Sequence, residues 1–142
     1  MVGIKPLLTV VALAVLPLCA AAQDPLSVAD VERLTPYKGL KVIQSQLLPI
    51  DKTFENSKGQ AVLVLRVASG DLYATWKQVA GKGTRPLPGI GDDAFLGTEG
   101  PVYACFRKKS KGVCVVPGYE KGRPVLSEPQ LIELTKLAAS NV

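Results

Sequence analysis

The apolar positions change period several times along the chain, and each change marks an element. Ser27 followed by Asp30 reads as a helix start, with Val28, Val31 and Leu34 as a short apolar stripe. Pro36 and Gly39 end that helix. Leu40 to Leu48 alternates poorly but is rich in β formers, which predicts a strand stopped near Pro49. Lys52–Asn56 and Gln60–Ala68 flank Ser57-Lys58-Gly59, the signature of a hairpin turn. The run from Ala61 to Leu65 is apolar at every position, so this strand is expected to be central and covered on both sides.

Ser69 opens a second helix, with Leu72, Trp76 and Val79 at i, i+4 and i+7 as its inward face and Trp76 as a core anchor. Gly81 to Gly91 reads as a loop, Asp93 to Leu96 as a short strand, and Val102 to Val116 as a hairpin. Pro117 to Pro124 is another loop. Ser127 and Gln130 form a capping box for a last helix whose stripe is Leu131, Leu134, Leu137 and Ala138. The order α-β-β-β-α-β-β-β-α, with short turns, predicts an α+β fold. It is sandwich-like, a mainly antiparallel sheet of about five or six strands with three helices.

The first residues have a different pattern. Lys5 precedes the twelve-residue stretch Leu7–Leu18, apolar but for Thr9. That is too short to span a bilayer and suits the core of a secretory signal. Pro17 and then Ala20, Ala21 and Ala22 predict cleavage near Ala22, leaving residues 23–142 as one α+β domain in the periplasm or outside the cell. A lipoprotein reading centred on Cys19 is disfavoured because Leu18, not a small residue, precedes it. Nothing after Gln23 reads as a transmembrane segment.

Of 142 residues, 17 are Lys or Arg, 12 are Asp or Glu and none is His. The missing histidine excludes Ser-His-Asp and Cys-His catalysis and His-ligated zinc. Processing removes one lysine and no acid, which lowers the formal charge from +5 to +4. Residues 77–123 carry nine basic and four acidic groups, whereas residues 23–76 carry six of each. Cys105 and Cys114 remain after processing, a pair suited to an oxidising compartment. With the turn between Lys109 and Ser110, Arg107 faces Gly112, Phe106 faces Val113, and Cys105 faces Cys114. Such a non-hydrogen-bonded pair lies within disulfide range. A structural disulfide is favoured over a redox pair, which usually has its cysteines two residues apart at a helix start.

The most distinctive stretch is Leu87–Phe95, LPGIGDDAF. Asp92 and Asp93 fall short of a calcium site, and as strand neighbours they point to opposite faces, so they form no catalytic dyad. The plainer reading is a tight turn in which one of them bonds nearby amides. PGIGDDAF, preceded by a Trp-bearing helix and followed by a β-hairpin and a last LS-x-x-QL helix, resembles small exported bacterial proteins of unknown function. Some of those are similar to the PsbP-like α/β/α sandwich. The resemblance implies a fold and an envelope location, and carries over no catalytic residues; the cysteine pair departs from its pattern.

Arg107, Lys108, Lys109 and Lys111 form a basic hairpin tip, with Lys121 and Arg123 expected near it. They are the candidate anion-binding residues, weighed against a solvated tip that deters edge-to-edge aggregation. The reading is an exported, non-catalytic envelope protein that binds an anionic lipid, a cell-wall polymer or an envelope protein through this hairpin. Nucleic acid is disfavoured because interleaved aromatics are sparse, only Tyr103 and Phe106 being close. No cofactor, metal or catalytic residue is assigned. The alternatives are a carboxylate-dependent enzyme drawing on Asp92, Asp93, Glu99 or Glu120, and a thiol–disulfide protein using Cys105 and Cys114.

Overall fold

Two capping boxes begin the first and last helices of the structure, a computed structural model that describes residues 24–142. The expected export signal, its cleavage near Ala22 and Cys19 lie outside the described residues. Ser27 Oγ accepts from the Asp30 amide at 3.1 Å and Asp30 Oδ2 from the Ser27 amide at 2.9 Å, opening α1 (Val28–Leu34). Ser127 and Gln130 exchange the same pair of bonds to open α3 (Glu128–Ser140). Each box satisfies two amides that a helix start leaves without partners.

Between these helices lies an antiparallel sheet in the order β1 (Lys41–Gln44), β2 (Asp51–Glu55), β3 (Ala61–Ser69), β7 (Lys111–Pro117), β6 (Tyr103–Lys108), β5 (Asp93–Gly97), β4 (Thr84–Pro86). It has seven strands, one beyond the expected five or six; β4 comes from the stretch read as the Gly81–Gly91 loop. A two-stranded ribbon, β8 (Tyr119–Glu120) and β9 (Arg123–Pro124), sits in the predicted loop before α3. β1 is shorter than the expected Leu40–Leu48 strand. The Gln44 side-chain Nε2 donates to the carbonyls of Pro49 and Asp51, and the Leu48 backbone amide donates to Ser45 Oγ, which turns the chain early.

The chain leaves β3 through α2 (Gly70–Ala80), reaches the far edge of the sheet, and returns strand by strand until β7 pairs with β3. α1 and α3 cover one face. Phe54, Leu63, Leu65, Phe106, Val113 and Val115 meet Val31, Leu131, Leu134 and Ala138 there in the main core. α2 covers part of the other face, where Tyr73 packs on Phe95 and on the Cys105–Cys114 disulfide. β3 is central, as expected, with Leu63 and Leu65 buried on the first face and Val64 half-buried on the second.

The inward face of α2 differs from expectation. Leu72 is exposed, Val79 is 81% exposed, Trp76 is half-buried, and the buried anchor is Tyr73. Gly112 explains the choice. It lies under the helix, and a Cβ there would stand 2.9 Å from Tyr73 Cβ, so only glycine lets α2 settle with Tyr73 down. Ser69 occupies the N-cap position without a side-chain cap; the Gly70 amide instead donates to the Ser110 carbonyl at 2.8 Å.

Candidate functional site

The β6–β7 hairpin closes with Lys109 and Ser110 as its two turn residues, and its register pairs Lys108 with Lys111, Arg107 with Gly112, Phe106 with Val113 and Cys105 with Cys114. The cysteines form a disulfide with a Cα separation of 4.1 Å. Strand alternation then divides the basic tip. Lys108 faces the α3 side, where its ammonium donates to the Ala139 carbonyl at 2.8 Å near the helix C-terminus, a favourable position for a cation. Lys111, half-buried, lies opposite it on that side. Lys109 sits in the turn at φ 56°, its amide donating to Asp92 Oδ2 at 2.7 Å. Arg107 alone turns to the α2 side. Lys121 and Arg123 belong to the ribbon beyond Pro117, at the opposite end of β7, roughly 20 Å from the tip.

On the α2 side a second set of charges meets Arg107. Asp93 is paired with Arg107 across β5 and β6, so the two side chains share a face. Tyr73 and Lys77, one helical turn apart on α2, both reach down to Asp93. The phenol and the ammonium each donate to Oδ2 at 2.7 Å. Together with Gly70, Ala74 and Gln78 these residues line an open pocket of about 410 Å³. Sequence reasoning missed Tyr73 and Lys77. Their i, i+4 spacing was visible, but not that Asp93 lay beneath them.

The electrostatics follow from this geometry. The hydrogen bond from Lys77 holds the Asp93 carboxyl below the usual carboxylate range; burial opposes this, and Tyr73 and Arg107 add to it. Burial, then the bond to Asp93, raises the Tyr73 phenol well above its ordinary value. Tyr73 is therefore a held donor, and Asp93 is an ionised acceptor with two donors already on one oxygen. The Arg107 guanidinium has no carboxylate within ion-pair distance among the described residues. Two cations around one engaged acid leave the pocket with an excess positive charge. Its chemistry is that of holding an anion at Arg107.

Asp93 has its pKa depressed on folding, so its contribution is present above the unfolded pKa and is lost as pH falls through the folded value. Asp93→Asn is expected to flatten the acid limb of the stability curve below about pH 4. Because both partners are more than a third exposed, the cost at neutral pH is expected to stay below about 1 kcal/mol. Urea midpoints of the two proteins across that pH range check both points.

The other candidate carboxylates do not converge. Asp92 bonds the Lys109 amide, as a turn residue, while Asp93 turns toward α2. Glu99 lies in the loop after β5, beside Gly83, and Glu120 in the exposed β8 ribbon. No group of three or more His, Cys, Asp or Glu side chains suited to a metal ion occurs among the described residues, and no helix there is long and apolar enough to cross a membrane. The chain matches no protein-family model, no curated protein and no solved structure.

Proposed function

We propose that the chain is an exported, non-catalytic envelope protein that holds an anionic surface against the α2 side of its β6–β7 hairpin. Arg107 is the central contact, flanked by Lys77 and by Lys109 at the tip. The observation that carries this reading is the guanidinium of Arg107, without a carboxylate at ion-pair distance among the described residues, beside an acid already occupied by Tyr73 and Lys77. An incoming phosphate or carboxylate meets donors there without first displacing an ion pair from Arg107. The disulfide in the same hairpin and the resemblance of PGIGDDAF to exported proteins support a location in the periplasm or outside the cell.

The test is co-sedimentation of the oxidised chain from Gln23 with anionic lipid vesicles, cell-wall polymer and nucleic acid over graded salt. Binding to one of them is expected to weaken steeply as salt rises. Arg107→Gln is expected to reduce it about tenfold, the worth of one charge-assisted hydrogen bond. Lys109→Gly removes a charge at a position whose positive φ suits glycine, so it is expected to weaken binding without loss of stability. Absence of binding at low salt, or binding unchanged by Arg107→Gln, would overturn the reading.

A further inference from the structure

The two edges of the sheet are treated differently. At the β4 edge, the Leu87 amide bonds the Ala94 carbonyl and the Thr98 amide bonds the Gly83 carbonyl, so by alternation Thr84 and Pro86 point their backbones outward. Pro86 has no N–H to offer, and Arg85 is tied to Glu128. That edge is blunted. At the β1 edge, the Ser45 amide bonds the Asp51 carbonyl at 3.0 Å, so Ile43 and Lys41 face β2 and the amides and carbonyls of Val42 and Gln44 point outward. No proline occurs there. All four β1 residues are exposed, with Val42 at 43% and Ile43 at 45%. Leu47 at 91% and Leu48 at 49% follow in the adjoining turn. Four of the seven exposed large apolar residues among those described thus lie within residues 42–48. Such an edge with apolar side chains is a template for another strand.

We propose that β1 pairs with β1 of a second copy about a two-fold axis through Ile43. The hydrogen bonds of this register come only from strand residues. Val42 exchanges two hydrogen bonds with Gln44 of the second copy, and Gln44 two with its Val42. The two Ile43 side chains meet on the face where α2 leaves β1 bare. Charge selects this register. Lys41 lies opposite Ser45 of the second copy, whereas a two-fold through Val42 would draw the two Lys41 residues together and require the buried Leu40 to pair. A four-residue strand with two neighbouring leucines falls short of the roughly 800 Å² per partner of a standard interface. The dimer is therefore reversible, with a dissociation constant of about 10–100 µM.

Sedimentation equilibrium of the oxidised chain from Gln23, from about 5 to 500 µM, brackets that constant. The mean mass is expected to rise from one chain toward two, and Ile43→Lys, at an exposed position, to remain monomeric with unchanged unfolding. The register has its own readout. In this pairing the two Ile43 Cα atoms stand about 4.5 Å apart, while the two Val42 Cα atoms stand about 8–9 Å apart. Ile43→Cys is therefore expected to form a disulfide-linked dimer under mild oxidation, and Val42→Cys is not. A monomer at every concentration, association that survives Ile43→Lys, or equal cross-linking of the two cysteine variants would overturn the proposal.

Discussion

Gly91→Ala is expected to lower the unfolding free energy by about 2–5 kcal/mol, and Gly89→Ala, two residues earlier, by only about 1 kcal/mol. Both glycines have positive φ, 57° and 80°, and both belong to the PGIGDDAF motif. Their surroundings separate them. A Cβ on Gly89 meets nothing within 4 Å, whereas one on Gly91 would lie 2.6 Å from the Arg107 carbonyl oxygen and 3.2 Å from the Phe106 ring. That carbonyl cannot yield freely. It accepts from the Asp92 amide at 2.7 Å, the bond that holds the start of β5 to the end of β6. Phe106 is fully buried in the main core. Relieving the clash thus means opening the sheet at the hairpin or shifting a core aromatic. A domain of this size has about 5–15 kcal/mol to lose, so guanidinium unfolding resolves the two variants easily. Equal losses would show that strain in φ alone, not the close approach to Arg107, makes the motif glycine-rich.

Removing the Cys105–Cys114 bond is expected to cost about 3–4 kcal/mol, counting both chain entropy and packing. The bond closes a loop with a sequence separation of only 9, which accounts for about 2–3 kcal/mol through the unfolded chain. The remainder comes from the cluster above it, because both cysteines are buried against Tyr73 and Phe95. Tyr73 and Phe95 are stacked at a 52° tilt with ring centroids 5.7 Å apart, so a gap beneath them loosens the seat of α2. Double substitution to alanine, rather than to serine, avoids burying two new hydroxyls without partners. Denaturant unfolding of the oxidised protein, the reduced protein and the double variant measures the parts. Reduction should yield the entropic share, and the alanine variant the further packing share. A total below about 1 kcal/mol would mean that the ladder alone holds the hairpin, with the bond contributing little.

Much of this fold is legible along the chain because its causes are local. The two capping boxes need residues three apart. The turn at Ser57–Gly59 needs a glycine at positive φ, and Gly59 has φ 74°. The hairpin register follows from counting outward from Lys109 and Ser110, which places Cys105 against Cys114. Asp92 ends the tight turn, while Asp93, the first residue of β5, takes its facing from the two-residue period of the strand. The candidate site was half legible. Arg107 was visible as part of a basic run, but the run is not one surface, because the same period sends Lys108 to the end of α3.

By itself, the sequence determined those elements, the α+β class, the central place of the Ala61–Ser69 strand and the pairing of the two cysteines. Each depends on spacing within a few residues or on a run of apolar side chains. Only the tertiary structure decided the strand order, which stripe of α2 is buried, and the meeting of Tyr73, Lys77, Asp93 and Arg107. The apolar residues of α2 read equally well as a face through Leu72, Trp76 and Val79. What turns Tyr73 inward is the space over Gly112, 39 residues away in the chain, on the strand β7 that pairs with β3. A helix presents several possible stripes, and the surface it lands on selects among them. That surface is assembled from strands distant in sequence, so its shape is not written in any one segment.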